Sequence, residues 1–346
     1  MKAVVLTGIR QIETVDIPAP ALKSDEDALL QIRMVGICGS DVHYYETGRI
    51  GNQIVQYPYI PGHECAATVK AVGRAVTDLK PGDTVAVDPA IPCGHCDQCN
   101  QGRKNTCRNL KFLGCPGQIP GCLSEYIVMP QQCLFPTHNR ITLSQAVLCE
   151  PLSISLYAVK QANLSEISTI AILGAGPIGL GCLLCARAQK VKNCFVTEII
   201  DERIEAAANN SAAWVGNPDV HNVVAEILNR VPTGVDVVFE CAGTQQTIDQ
   251  AIELLKPGGK LMLVGIPRTD SISLAVHQMR RKEITLINVR RQNNCTQSCI
   301  DLIASGKIKP DFMLTHRFKP QHAADAFDLV ASYRDGVIKT LIEFES

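Results

Sequence analysis

The sequence has almost no net charge: 33 basic residues stand against 34 acidic ones, leaving −1 over 346 residues. A partner for nucleic acid or an anionic membrane needs a basic face, so neither is expected as a main partner. Small neutral ligands fit better. No cleavable signal pattern is read in MKAVVLTGIRQIETVD, a short apolar run soon followed by charge. The expectation is a cytoplasmic protein. No helical HExxH occurs, which removes that signature of a zinc hydrolase.

Charge is absent locally from Ile167 to Ala186, ISTIAILGAGPIGLGCLLCA, a run as long as a membrane span. Its glycines and Pro177 would interrupt a helix in the middle, so it reads as strand, turn and helix. Cysteine is not scarce, but sixteen thiols diluted in a long chain, several in apolar segments, do not make a disulfide framework. They are expected to be reduced thiols or metal ligands. The length, with 46% hydrophobic residues, predicts two domains with separate cores.

The stretch from Gly36 to Glu64, GICGSDVHYYETGRIGNQIVQYPYIPGHE, carries a thiol (Cys38), a hydroxyl (Ser40), two imidazoles (His43, His63) and a carboxylate (Glu64). Gly and Pro break the run so that these groups can converge. Each alone has a plain structural explanation. Together, Cys38, His63 and Glu64 could supply the three protein ligands of a catalytic zinc, which keeps its fourth position open.

Residues 93 to 107, CGHCDQCNQGRKNTC, place Cys93, Cys96, Cys99 and Cys107 in two Cys-x-x-Cys steps and a fourth thiol further on. This predicts a closed, structural zinc site in a lobe. An iron-sulfur cluster and disulfides are the rivals. His95, inside the run, is expected to be exposed.

Strand-like runs dominate the first part: AVVLTG, QIETVDIP, ALLQIRMVGI, CAATVKAVG, DLKPGDTVAVDP and GCLSEYIVMP. Helical periodicity begins near SQAVLCEPLSISLYAVKQA. Glu150 there reads either as a group at the metal, directly or one layer out, or as a helix-start acid stabilised by the dipole. From Ser168 strands and helices alternate: TIAIL, LGCLLCARAQ, CFVTEI, ERIEAAANN, VDVVFECAG, a helical TQQTIDQAIELLKPGG, KLMLVGI and ITLINV. Between the first strand and helix, Gly174, Gly176 and Gly179 occupy the G-x-G-x-x-G positions of a dinucleotide turn. Pro177 and Ile178 lie within it. Glu198, at the end of the next strand, can accept both ribose hydroxyls and would repel a 2′-phosphate, favouring NAD over NADP. Arg203 could assist a phosphate, stack on adenine or lie on the surface. Gly265, in KLMLVGI, is a further candidate for cofactor binding.

Taken together, Cys38, the GHE at 62 to 64, the four-cysteine lobe and the glycine turn resemble the zinc-containing medium-chain alcohol dehydrogenases over nearly the whole chain. CGSDVHYYETGRIG, Glu64 after His63 and EPLS at 150 to 153 are most similar to the sorbitol (polyol) dehydrogenase branch. The resemblance implies a Rossmann doubly wound parallel sheet plus a β-rich GroES-like catalytic domain. The expected division is 1–153 catalytic, 154–287 NAD-binding and 288–346 returning to the catalytic domain. It implies two zinc ions per chain, NAD and a homo-oligomer, tetramer or dimer. Cys38, His63 and Glu64 would bind catalytic zinc, with Glu150 exchanging with Glu64 or acting through water. Ser40 and His43 match a proton relay, and Tyr44, Phe112 and Arg291 match polyol-contacting positions. The implied reaction is oxidation of a secondary alcohol of a polyol such as sorbitol, xylitol or L-idonate. Threonine, a sugar phosphate or a simple alcohol is the alternative substrate. Gln292, Cys115 and the GQIPG turn depart from the family pattern, all toward the substrate end.

Overall fold

Buried and half-exposed residues alternate along the strand Asp27–Gly36, putting Ala28, Leu30 and Ile32 into the core with no exposed surface. In the computed structural model, which describes residues 1–345, this strand is the middle of a seven-stranded sheet. The sheet runs Leu134–Pro136, Thr84–Val87, Glu64–Val72, Asp27–Gly36, Lys339–Glu343, Leu314–Phe318, and Tyr126–Pro130 pairs with Asp27–Gly36 besides. Its pairings are antiparallel except that between Lys339–Glu343 and Leu314–Phe318, which is parallel. The register sets Gly36 opposite Glu64 on one side and opposite Leu341 on the other. A hairpin of Lys2–Gly8 and Gln11–Asp16 adds to this unit.

This sheet belongs to a compact unit made of Met1–Glu150, Thr296–Ser305 and Pro310 onward. A second unit comprises Pro151–Cys295 and Gly306–Lys309. Its six strands are all parallel, in the spatial order Trp214–Gly216, Asn193–Thr197, Thr169–Leu173, Val235–Glu240, Leu255–Leu263, Thr285–Asn288. Strand order reverses between Thr169–Leu173 and Val235–Glu240, the switch point at which a doubly wound sheet binds its ligand. Each unit has its own apolar core, as the length implies.

The uncharged run at 167–186 resolves into the strand Thr169–Leu173, a turn and the helix Pro177–Ala188. Among the described residues no helix is long and apolar enough to cross a membrane. All sixteen cysteines are free thiols.

Three local expectations need correction. The segment TQQTIDQAIELLKPGG is helical only over Gln245–Leu254, and Leu255 already begins the next strand. Pro257 accounts for this, since it cannot continue a helix and drives the residue before it toward extended backbone. GCLSEYIVMP forms a strand only over Tyr126–Pro130. Glu150 does not start a helix: it lies inside Leu143–Ala162, just before the internal Pro151.

Candidate metal centre and nucleotide turn

The ligand-bearing stretch is held by a helix that the glycines concealed, Gly39–Thr47, with Cys38 at its N-cap. Asp41, fully buried, faces back from its first turn. Its Oδ2 accepts a hydrogen bond from the Cys38 amide at 3.2 Å and its Oδ1 one from the Gly62 amide at 3.1 Å. One carboxylate therefore joins the segment carrying Cys38 to the segment carrying His63.

The ligand atoms of Cys38, His63 and Glu64 all lie within 4.8 Å of one another. His63 and Glu64 are buried and Cys38 is half-buried. Nδ1 of His63 is buried without a hydrogen bond and stands 3.5 Å from Oδ1 of Asp41, an ion-pair distance. Burial works against a charged imidazole, but Asp41 and the Cys38 sulfur carry its pKa well above the ordinary range. Such a centre is short of positive charge, and one sulfur, one nitrogen and one oxygen suit zinc with a fourth position left open.

Glu64 has a partner from the far end of the chain. The Lys339 ammonium donates to both carboxylate oxygens, at 2.8 and 2.7 Å, and to the Ile37 carbonyl at 3.0 Å. Burial lowers the Lys339 pKa, but Glu64 and Cys38 more than compensate and raise it. Glu150 is also buried, outside the tight three-residue cluster. Its pKa is pushed up to about 7, first by burial, against the pull of His63 and with Glu64 and Asp88 adding to the rise.

Around these groups, Ser40 and His43 sit half-buried on the helix Gly39–Thr47. The Tyr44 hydroxyl donates to Oε1 of Gln53 at 2.9 Å, and its ring meets that of Tyr59 edge-on at 5.8 Å between centroids. Phe112 is buried with its ring centroid 5.4 Å from that of His63. Arg291 belongs to the other unit, half-buried and at φ +51°.

In the lobe, Sγ of Cys96 lies 3.6 Å from that of Cys99 and 3.9 Å from that of Cys107. The backbone amide of Cys93 points to Sγ of Cys107 at 3.2 Å. Sulfurs bound about 2.3 Å from one tetrahedral zinc stand about 3.8 Å apart. A disulfide would need about 2.05 Å. The four thiols therefore match a single tetrahedral ion. Hydrogen bonds from the backbone lower the Cys93 pKa to about 6, while burial raises that of Cys99 to about 12. His95 is exposed and turned to the Cys93 carbonyl, away from a ligand role.

In the parallel-sheet unit, Gly174 has φ +97° at the tight turn, and a Cβ on Gly179 would fall 1.8 Å from the Gly174 carbonyl oxygen. A Cβ on Gly176 would meet only Nη1 of Arg203, at 3.6 Å, so backbone there lies open to a ligand. Pro177 and Ile178 open the helix Pro177–Ala188, whose N-terminus suits a phosphate. Glu198 is buried, its Oε2 accepting from the Ala175 amide at 2.7 Å and its Oε1 from those of Ile199 and Ile200. Arg203 is buried, which removes the surface alternative. Gly265 packs on Gly243 where two strands end.

Sequence reasoning missed Asp41 and Lys339. A lysine between β-branched residues in VIKTLIEF is a signal for the second, because lysine is almost never fully buried unless paired. Asp41 carried a weaker one, an acid three residues after an N-cap.

Comparison with known proteins agrees with the site chemistry. Residues 24–139 match the alcohol dehydrogenase GroES-like domain and residues 177–305 the zinc-binding dehydrogenase family. The chain is 35% identical over 343 residues to a sorbitol dehydrogenase of Bacillus subtilis, covering 99% of this chain and 97% of that one. It is 34% identical over 318 residues to an L-idonate 5-dehydrogenase of Vitis vinifera, covering 90% and 86%. A crystal structure described as a short chain alcohol dehydrogenase from Escherichia coli CFT073, complexed with NADH, superposes with a TM-score of 0.90 at 30% identity, covering 99% of each chain. With these matches over nearly its whole length, this chain belongs to the zinc-dependent alcohol dehydrogenases, enzymes of zinc and a nicotinamide cofactor, and within them to the polyol dehydrogenase branch.

Proposed function

We propose that this protein oxidises a secondary alcohol of a polyol of the sorbitol, xylitol or L-idonate type to a ketose, passing hydride to NAD. The observation that carries this reading is the convergence of Cys38, His63 and Glu64, a three-ligand set that leaves an open position in a buried site. Cys93, Cys96, Cys99 and Cys107 would hold a second, structural zinc. The catalytic zinc supplies Lewis acidity toward the substrate oxygen, which makes the hydroxyl proton easier to remove at neutral pH.

The remaining work belongs to the chain. Ser40 accepts the hydroxyl proton and His43 carries it toward solvent, so no charge is stranded in the site. Tyr44, whose hydroxyl is fixed by Gln53, contacts the polyol beside Phe112. Arg291 and Glu150 provide polar contacts to neighbouring hydroxyls. In the nucleotide unit, Gly174, Gly176, Pro177, Ile178 and Gly179 receive the pyrophosphate, with Arg203 and Gly265 alongside. Glu198 accepts the ribose hydroxyls, and its carboxylate disfavours a 2′-phosphate. Both sorbitol- and L-idonate-acting relatives support a polyol substrate. The protein would act in the cytoplasm, where its thiols stay reduced, as a dimer or tetramer.

The test is a set of steady-state rates with sorbitol, xylitol, L-idonate, galactitol, threonine and a simple alcohol, each with NAD and NADP. The expected result is the highest kcat/KM on one of the polyols, with NAD. A preference for threonine or a monohydric alcohol would overturn the substrate class, and a preference for NADP would overturn the role of Glu198.

A further inference from the structure

We infer that Lys339 is a positioning residue of the catalytic metal centre, holding the Glu64 carboxylate where it can share zinc with Cys38 and His63. This rests on the reading of those three residues as zinc ligands.

The strand register explains how the contact arises. Glu64 and Lys339 lie on the two strands that flank the end of Asp27–Gly36, where Gly36 pairs with Glu64 on one side and, on the other, with Leu341 of the strand that Lys339 begins. The carboxylate reaches its lysine across the one position in that central strand without a side chain. A Cβ on Gly36 would fall 2.3 Å from Oε2 of Glu64. Any residue but glycine would displace the carboxylate.

The ammonium is fixed on its own side. Its three N–H groups meet three acceptors, the two Glu64 oxygens and the Ile37 carbonyl. Ile37 precedes Cys38 and Glu64 follows His63, so Lys339 joins the two ligand-bearing segments, as Asp41 does from the opposite charge. Each carboxylate oxygen has two lone-pair sites, so accepting from Lys339 still leaves sites for a metal.

Stability alone gives this pair little reason to exist. Its side chains are 2% and 1% exposed, and a buried ion pair roughly repays its own desolvation. Orientation of a ligand is what a well-packed apolar pair could not supply. Groups that orient a metal ligand are typically worth about 10- to 100-fold in metal affinity.

The experiment uses the two-zinc enzyme and follows zinc transfer to a chromogenic chelator, the lobe zinc serving as an internal reference. In Lys339→Met the zinc of the Cys38 centre should leave about 10- to 100-fold faster, with the lobe zinc unchanged, and Lys339→Arg should recover most of the loss. Gly36→Ala, which leaves Lys339 in place but displaces Glu64, should accelerate release similarly and serves if Lys339→Met does not fold. Release at an unchanged or slower rate in a folded variant would overturn the proposal, leaving Lys339 a buried countercharge only. If the unaltered enzyme holds only the lobe zinc, the ligand assignment itself has failed, a result distinct from the first.

Discussion

As proposed sites for a divalent cation, the four-thiol lobe and the Cys38 centre are built by opposite means. The lobe draws every ligand from residues 93 to 107, on short turns close to solvent. The Cys38 centre draws its ligands from a helix N-cap and the start of a sheet strand, and its supports from Asp41 and from Lys339 on another strand. Four thiols would close around an ion. Three ligands would leave a place open, and the fold must keep them in shape. A site that leaves a coordination position to substrate needs its geometry fixed from outside.

The largest break in this comparison comes from Cys38→Ser. Turnover should fall by at least about 10³-fold, since the metal supplies the main transition-state stabilisation. Metal content should drop to the lobe zinc while NAD binding, measured by fluorescence titration, stays near its original strength. Equal activity in the variant would remove the catalytic metal from the account.

Cys96→Ser should do the reverse. Loss of one lobe thiolate should lower stability by several kcal/mol, read as an earlier thermal transition, while the folded enzyme keeps most of its kcat. A stable but inactive variant would show that the lobe takes part in chemistry.

The third test sharpens the contrast through pH. In the metal-stripped protein Glu150 has a pKa raised from 4.5 to about 7. The folded chain then binds more protons than the unfolded chain across that window, so Glu150 lowers stability as pH climbs from about 4.5 to about 7 and not below it. The effect is on the order of 3 kcal/mol. Glu150→Gln should flatten the fall in denaturation midpoint over that range. An equal slope in the variant would mean that Glu150 does not titrate there.

Much of this was legible in the sequence because it is local. Cys93 to Cys107 and Gly174 to Gly179 keep their meaning within a few residues of chain, and the structure gives both the geometry their spacing implies. Helices and strands in the nucleotide half followed from the change of period, except where Pro257 ended a helix early. The support of the Cys38 centre was not legible, because it depends on strand register. Nothing near Glu64 in the sequence points to Lys339, and only the pairing of both flanking strands with Asp27–Gly36 brings them together. Of the two readings open for Glu150, the helix-start one fails because its proline only resembles a boundary signal and the helix runs through it.

The crossing of Glu64 over Gly36 also spreads the two candidate centres unequally along the chain. The lobe has its four thiols within residues 93 to 107, whereas the Glu64 carboxylate takes its cation from residue 339, on the strand Lys339–Glu343. The proposed reactive centre thus depends on a strand from the far end of the sequence.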